Sequence, residues 1–363
     1  MLHLSLSNLL DPVIGRTYPA LFPPNALPPI QRITDMFPPT YAVLENRLGN
    51  TPGPLDLSIL FRPKTLQVQH IRTLQQATQC PPHSSECDAW NRLQSFVEIW
   101  KSSSSALQKD LSACWLEFDV QPNRPVPLPR IFAPLHHGVL LSAPPKHGNT
   151  QRRIERLLEI FFTDPIQPQL LETIKTFLQA LPSSASIVSL GITLTPKPEA
   201  VRLSVHGIPY VEMPQWLTAH VPWQQTPDYW EKIVRDLIPL QQHTIIPVDI
   251  GPGVVTPKVG FVQKLNSAKG SSEQQWNNLF SYLREQNLLT RDQSQQMTEF
   301  PGTTHLNVSG DEAQTPENRG RSFMGFRPVM HAVRKIHHIK MEVHADGRKL
   351  AKGYFAFFPT SKP

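Results

Sequence analysis

Between residues 151 and 208 the apolar positions change period. Ile154, Leu157, Leu158 and Phe161 stand at helical spacing, as do Leu171, Ile174, Phe177 and Leu178, which predicts helices over Gln151–Phe162 and Leu170–Leu181. Ser186–Thr195 (SIVSLGITLT) and Ala200–His206 (AVRLSVH) are short, β-branched and partly alternating. They read as two strands joined by a turn at Pro196–Glu199. The unit is helix, helix, strand, strand.

The same order recurs. Val211–Ala219 and Tyr229–Leu240 read as helices before strands Thr244–Ile250 and Lys258–Gln263. Ser272–Gln286 and Arg291–Phe300 precede strands His338–His344 and Ala351–Phe358, after a long loop. Upstream, Ala89–Lys101 and a short Ser105–Leu111 precede Cys114–Val120 and Arg130–Leu135. A further hairpin, Tyr41–Leu48 with Leu55–Arg62, brings the count to five strand pairs. The repeat lies in pattern rather than residue identity, and an ordinary α+β domain with alternating helices and hairpins would show the same order. Ten antiparallel strands closed into a barrel would enclose a ligand-sized cavity, wider than the eight-strand barrels that side chains just fill.

Composition narrows the reading. The 363 residues suffice for one large barrel domain. Proline, at 38 residues, is about twice as frequent as usual. It crowds Asp11–Pro39, which is expected to run extended over the surface, so residues 1–88 read as a proline-rich N-terminal extension with one hairpin and 89–363 as the barrel domain. No apolar run reaches the ~18 residues of a membrane span, and the first residues lack the basic start of a signal peptide. Three cysteines suit a reducing, cytoplasmic setting. The net charge of +6 is spread out, which fits an anionic ligand but not a nucleic-acid arm.

Familiar catalytic signatures do not occur. Gly251-Pro-Gly253 lacks the frame of a phosphate loop, and neither GxSxG nor HExxH is present. Cys80, His83 and Cys87 match no usual zinc spacing and read as a polar connecting loop. One member of each pair His136–His137 and His337–His338 would face a cavity if its strand is regular. Thr303–Arg327 has no periodicity and reads as a lid, a binding loop or a disordered segment. Arg319, Arg321, Arg327, Arg334, Lys335 and Lys340 that follow form either a solvated basic face or a mouth that draws in anions. Any chemistry must therefore be spread over the strands.

That distribution resembles the ABBA-type (PT-barrel) prenyltransferases, most closely the cyanobactin peptide prenyltransferases and more distantly the fungal indole prenyltransferases. The similar residues are the acidic strand Trp115-Leu-Glu117-Phe-Asp119, the following Pro129-Arg130-Ile-Phe132, and the pairs Arg202-Leu-Ser204, Lys258-Val-Gly260 and Lys352-Gly-Tyr354. The resemblance covers roughly Trp90–Phe358. It implies an α/β fold, a ten-strand antiparallel ABBA barrel of repeated ααββ units with helices outside. It implies transfer of a prenyl group from an isoprenoid diphosphate to a peptide or aromatic acceptor, and it admits Mg²⁺ as a cofactor. Ser204 and Gly260 depart from the family, standing where tyrosines are expected.

Elementary chemistry agrees with that reading. As an allylic C–O bond breaks, charge grows on the diphosphate, and Arg130, Arg202, Lys258 and Lys352, with Tyr354, would bind it in a dry interior. Trp115, Phe261 and Phe357 offer π-faces to the allylic cation. Glu117 takes the acceptor's proton, with Asp119 on the same strand face and Asp56 on the upstream hairpin as rival acids. Two alternatives use the same residues: a non-catalytic barrel that binds a peptide or anion, and an enzyme acting on another anionic substrate.

Overall fold

Each strand segment has an apolar face to hide, and the fold hides it under helices. The computed structural model describes residues 5–360 apart from 12–13, 15–16, 51–52, 54, 64, 66, 79, 103–106, 109–110, 122–125, 136–146, 163–164, 195–199, 221–225, 238–243, 264–271, 307–329 and 345, and apart from the side chains of 147–149, 237, 244, 256–258 and 272–273. His136–His137, the turn at 196–199, Arg319, Arg321, Arg327 and the Lys258 side chain lie outside the described residues.

Among the described residues eleven strands form one antiparallel sheet. They are β1 (Ala42–Arg47), β2 (Asp56–Phe61), β3 (Cys114–Asp119), β4 (Arg130–Pro134), β5 (Ser186–Thr193), β6 (Val201–His206), β7 (Thr244–Gly251), β8 (Val254–Gln263), β9 (Gly302–Leu306), β10 (Met330–His344) and β11 (Lys349–Thr360). Neighbours pair in the order β11-β1-β2-β3-β4-β5-β6-β7-β8-β10, and β10 pairs with β11 to close a ten-strand barrel. β9 lies outside the ring, against residues 330–334 of β10. The segment expected to be a loop from Thr303 therefore begins as a strand.

The helices cover the wall in the expected rhythm. α1 (Leu6–Leu10), α2 (Leu27–Thr34), α3 (Val68–Thr78) and α4 (Ser85–Lys101) come first, then α5 (His147–Phe161), α6 (Pro168–Gln179), α7 (Met213–His220), α8 (Pro227–Leu237), α9 (Ser272–Glu285) and α10 (Arg291–Glu299). Local chemistry sets their ends. Ser84 accepts from the Cys87 amide to cap α4, Thr290 and Gln293 form a reciprocal capping box on α10, and Pro168 opens α6 where a missing N–H costs nothing. α4 begins early enough to hold Cys87, so the expected loop ends at Ser84; all three cysteines are free. No described helix is long and apolar enough to cross a membrane.

The N-terminal region is not an extension laid over the surface. Leu6, Leu9, Leu21, Phe22, Ile30, Ile33 and Phe37 are buried in the main core. Phe22 meets Phe300 and Phe355 edge-on or tilted, with ring centroids 5.9 and 5.1 Å away. Polar stitches fix the register: Tyr18 donates to the Glu299 carbonyl at 3.1 Å, and Arg334 donates to the Tyr18 hydroxyl at 2.7 Å. β1 and β2 are staves of the barrel between β11 and β3, so a boundary at 88/89 would cut the wall.

Candidate active site

A strand presents alternate residues to each face, so register decides what the lumen contains. Tyr354, Glu45, Asp56 and Asp119 stand directly opposite one another across β11, β1, β2 and β3. The next row runs Ala356, Val43, Ser58, Glu117, Arg130 and Thr193. Val43, Tyr354 and Ala356, with Tyr41 and Trp115 against them, form a small apolar cluster separate from the main core.

Two expected cation shields are on the other side of the wall. Phe261 is fully buried outside, 6.5 Å from the Trp230 ring on α8, and Phe357 packs against Phe300 and Phe22 at 5.5 and 6.4 Å. The reason is parity. Phe357 is three residues from lumen-facing Tyr354, and Phe261 follows Gly260, whose missing side chain leaves room for Lys340. A Cβ on Gly260 would lie 2.5 Å from Lys340 Cε, so the lysine occupies the place where a tyrosine was expected. The lumen's own π-faces are Trp115, Tyr41 and Phe358: Tyr41 stacks on Phe358 at 5.4 Å and meets Trp115 edge-on at 5.6 Å.

Four of the lumen cations are paired with carboxylates. Arg130 reaches Asp119 at 2.7 Å and Glu117 at 3.6 Å. Arg202 forms a two-pronged pair with Asp249, at 2.5 and 2.9 Å. Lys340 meets Glu342 at 2.7 Å, and Lys352 bridges Glu45 and, at 3.8 Å, Glu342. Asp56 alone among these acids has no cation within 4 Å among the described residues. For the predicted cations, then, Arg130, Arg202 and Lys352 share one interior with Glu117 and Tyr354. Lys258 contributes a strand position opposite His344.

These surroundings move the titrations apart. Burial, then the neighbouring Glu45, pushes the Glu117 carboxyl up to about 7 against the pull of Arg202 and Arg130. Burial, Glu45 and Asp119 push Asp56 up to about 8. Burial would raise Glu45 as well, but Lys352 and Lys340 outweigh it and hold it low. Burial and nearby Arg202 bring Lys340 down to about 8, with Glu342 resisting. Tyr354 is raised by burial and by Glu45, to which it is hydrogen-bonded, so it remains a neutral donor.

The histidine pair departs from expectation. A bulge in β10 between Ile336 and His338 breaks the alternation. Both rings therefore reach the lumen side: His337 lies 6.1 Å from Trp115, His338 stacks on Tyr354 at 3.8 Å, and their Nδ1 atoms are 2.6 Å apart. The basic stretch also divides. Arg334 packs outward on Tyr18 and Phe300, whereas Lys335 sits over the Tyr41 and Phe358 rings. Sequence reasoning passed over the strand residues Glu45, Asp249 and Glu342, and placed Lys340 only in a basic stretch. Among the described residues no three His, Cys, Asp or Glu side chains converge as metal ligands.

Gly191 supports this layer. A Cβ there would lie 2.6 Å from the Phe132 ring and 3.1 Å from Arg202 Cβ. Gly191→Ala is expected to cost about 1–3 kcal/mol of stability by overpacking, read from the denaturation midpoint.

No protein-family model and no curated protein matches the chain. Solved structures do. The apo crystal structure of the prenyltransferase PriB is similar with a TM-score of 0.53 at 11% identity, over 96% of this chain and 93% of that one. The fold is the ABBA barrel. Lesser similarity extends to 5-dimethylallyl tryptophan synthase from Streptomyces coelicolor, in complex with DMASPP and Trp (TM-score 0.48, 9% identity, 89% of this chain and 79% of that one). AnaPT from Neosartorya fischeri follows at TM-score 0.47 and 10% identity, over 86% and 77%. Within the ABBA barrel, the charged rows and the aromatic cluster share one lumen.

Proposed function

We propose that this chain transfers a prenyl group from an isoprenoid diphosphate to a nucleophilic, aromatic side chain of a peptide or small-molecule acceptor. The observation that carries the reading is the convergence of Glu117, Arg130, Arg202, Lys352 and Tyr354 on the interior of one closed barrel. Arg202, Lys352 and Lys340 receive the charge that grows on the diphosphate as its C–O bond breaks, and Tyr354 donates a hydrogen bond. The aromatic faces of Trp115 and Tyr41 lie where an electron-poor allylic carbon is best shielded from water. The acceptor's π electrons form the new bond to that carbon, and the proton it loses passes to Glu117.

A second reading has its own support. Arg130, Arg202, Lys340 and Lys352 already face carboxylates, and Gly260 and Ser204 stand where tyrosines are expected. Both fit a barrel that binds its ligand without turnover. One pair of measurements separates the two. Dimethylallyl, geranyl and farnesyl diphosphates are titrated by thermal shift, and products with aromatic amino acids and peptides are sought by mass spectrometry. At a hundred times Kd the matching donor should stabilise the fold by about 2.7 kcal/mol. Stabilisation without product leaves the binding module; no stabilisation by any donor removes the transferase reading and leaves a barrel for another ligand.

A further inference from the structure

The donor reading asks the lumen cations to meet a multiply charged anion, and those cations are already engaged. Lys352 is the key member, because it serves Glu45 and Glu342 together. Once Lys352 turns to a phosphate oxygen, Glu45 is left facing Asp56 directly across the β1–β2 pair. Asp56 in turn faces Asp119 across the β2–β3 pair. Asp119 stays on Arg130 and Glu45 is buried, so Glu45 and Asp56, side by side without a shared cation, do not both ionise; one of them holds a proton.

We propose that the barrel binds its diphosphate together with a proton, and that Asp56 carries that proton. This rests on the donor reading above. Asp56 is the member of the row that no cation reaches within 4 Å among the described residues, whereas Arg130 holds Asp119 at 2.7 Å and Lys352 holds Glu45. The groups whose charge acts on it are Glu45 on β1, Asp119 and Glu117 on β3, and Lys352 on β11. All but Lys352 favour the protonated form. Burial and these acids already bring its carboxyl up to about 8, with Lys352 pulling down, and transferring Lys352 to the anion removes that pull. The proton comes from solvent, Asp56 changes from carboxylate to carboxylic acid, and no bond of the donor is altered. The neutral acid then offers an O–H where a carboxylate would repel the anion.

Calorimetric titration of the full chain with dimethylallyl thiolodiphosphate, at pH 8 in two buffers of different ionisation enthalpy, counts the protons. The probe's phosphates titrate near pH 6 and are ionised at pH 8, so uptake reports the protein. The expected result is uptake of about half a proton per ligand by Asp56, with a further fraction by Lys340 as it meets the anion, and affinity falling by up to about tenfold per pH unit above pH 8. Asp56→Asn should bind with the half proton of Asp56 lost and the pH slope shallower, the share of Lys340 remaining. Binding without uptake in the unmutated protein overturns the proposal and leaves the donor reading standing. Equal uptake in Asp56→Asn overturns the assignment to Asp56. No binding removes the donor reading and this proposal with it. Should Asp56→Asn fail to fold, the pH slope of the unmutated protein decides: a flat slope overturns the proposal.

Discussion

Glu117→Gln is expected to lower prenyl transfer by about 10²–10⁴ while leaving donor affinity within a few-fold, the loss typical of a missing general base. The substitution keeps the shape and one hydrogen-bonding oxygen, so the fold survives while the proton acceptor disappears. Asp119 is the rival on the same strand face, but it is more exposed, with 42% of its side chain open against 12% for Glu117. It is also bound by Arg130 at 2.7 Å, which holds it as a structural anion. Asp119→Asn should therefore cost far less activity. The base must be deprotonated to act, and burial and Glu45 hold Glu117 at about 7. kcat/KM should accordingly rise with pH through about 7 and level off above it, and Glu117→Gln should lose that limb. Full transfer in Glu117→Gln with loss in Asp119→Asn would move the base two residues along the strand.

The barrel was legible because its outer face is regular. Leu116 and Phe118, Leu203 and Val205, and Val259 and Phe261 alternate cleanly, since each must be buried under a helix whatever the lumen holds. Helical stripes such as Ile174, Phe177 and Leu178 answer the same need. The N-terminal helices were hidden by their prolines. Pro28 and Pro29 sit in the first turn of α2, where the lost N–H would have had no partner, so a residue that usually breaks helices here begins one. In β10 the bulge at His337 interrupts the alternation, which shortened the expected strand and left both histidines on one side.

The lumen was less legible, for a physical reason. A polar strand face turned into a closed barrel has the same period as one turned to solvent. Ile339, Met341 and Val343 alternate with Lys340, Glu342 and His344, a pattern that also describes an exposed edge strand. Only closure of β10 onto both β8 and β11 turns Lys340 and Glu342 inward. Two of the acidic partners were missed because each lies on a different strand from the cation it neutralises, as Glu45 does from Lys352 and Asp249 from Arg202. Choosing aromatic residues without their parity placed Phe261 and Phe357 on the wrong face. A Tyr354 that faces inward requires an outward Phe357.

Glu342→Gln should cost about 3–5 kcal/mol of stability, the usual result of leaving one member of a buried ion pair unmatched. Glu342 is the carboxylate on which two lysines depend: Lys340 at 2.7 Å and Lys352 at 3.8 Å, with only 2% of the glutamate side chain exposed. Lys352 keeps Glu45, so the loss falls on Lys340, whose ammonium is buried and lies in the field of Arg202. The sign of the pH dependence follows. Burial and Arg202 bring the Lys340 ammonium down to about 8 even with Glu342 present, and removing Glu342 lowers it further. A lysine depressed in the fold is penalised most where it must be charged, so the penalty is full at pH 6 and shrinks as pH rises towards the unfolded value. Urea denaturation at pH 6 and pH 9 should therefore show the larger loss at pH 6. The double variant Lys340→Met/Glu342→Leu should recover most of it, because an apolar pair of similar volume needs no desolvated partner. As a control, Glu172→Gln breaks the exposed pair with Lys175, 65% and 42% open, and should change stability by less than about 1 kcal/mol. A Glu342→Gln loss as small as that control, equal at both pH values, would mean that water reaches Lys340 and that the lumen is wet where the donor's leaving group must be bound.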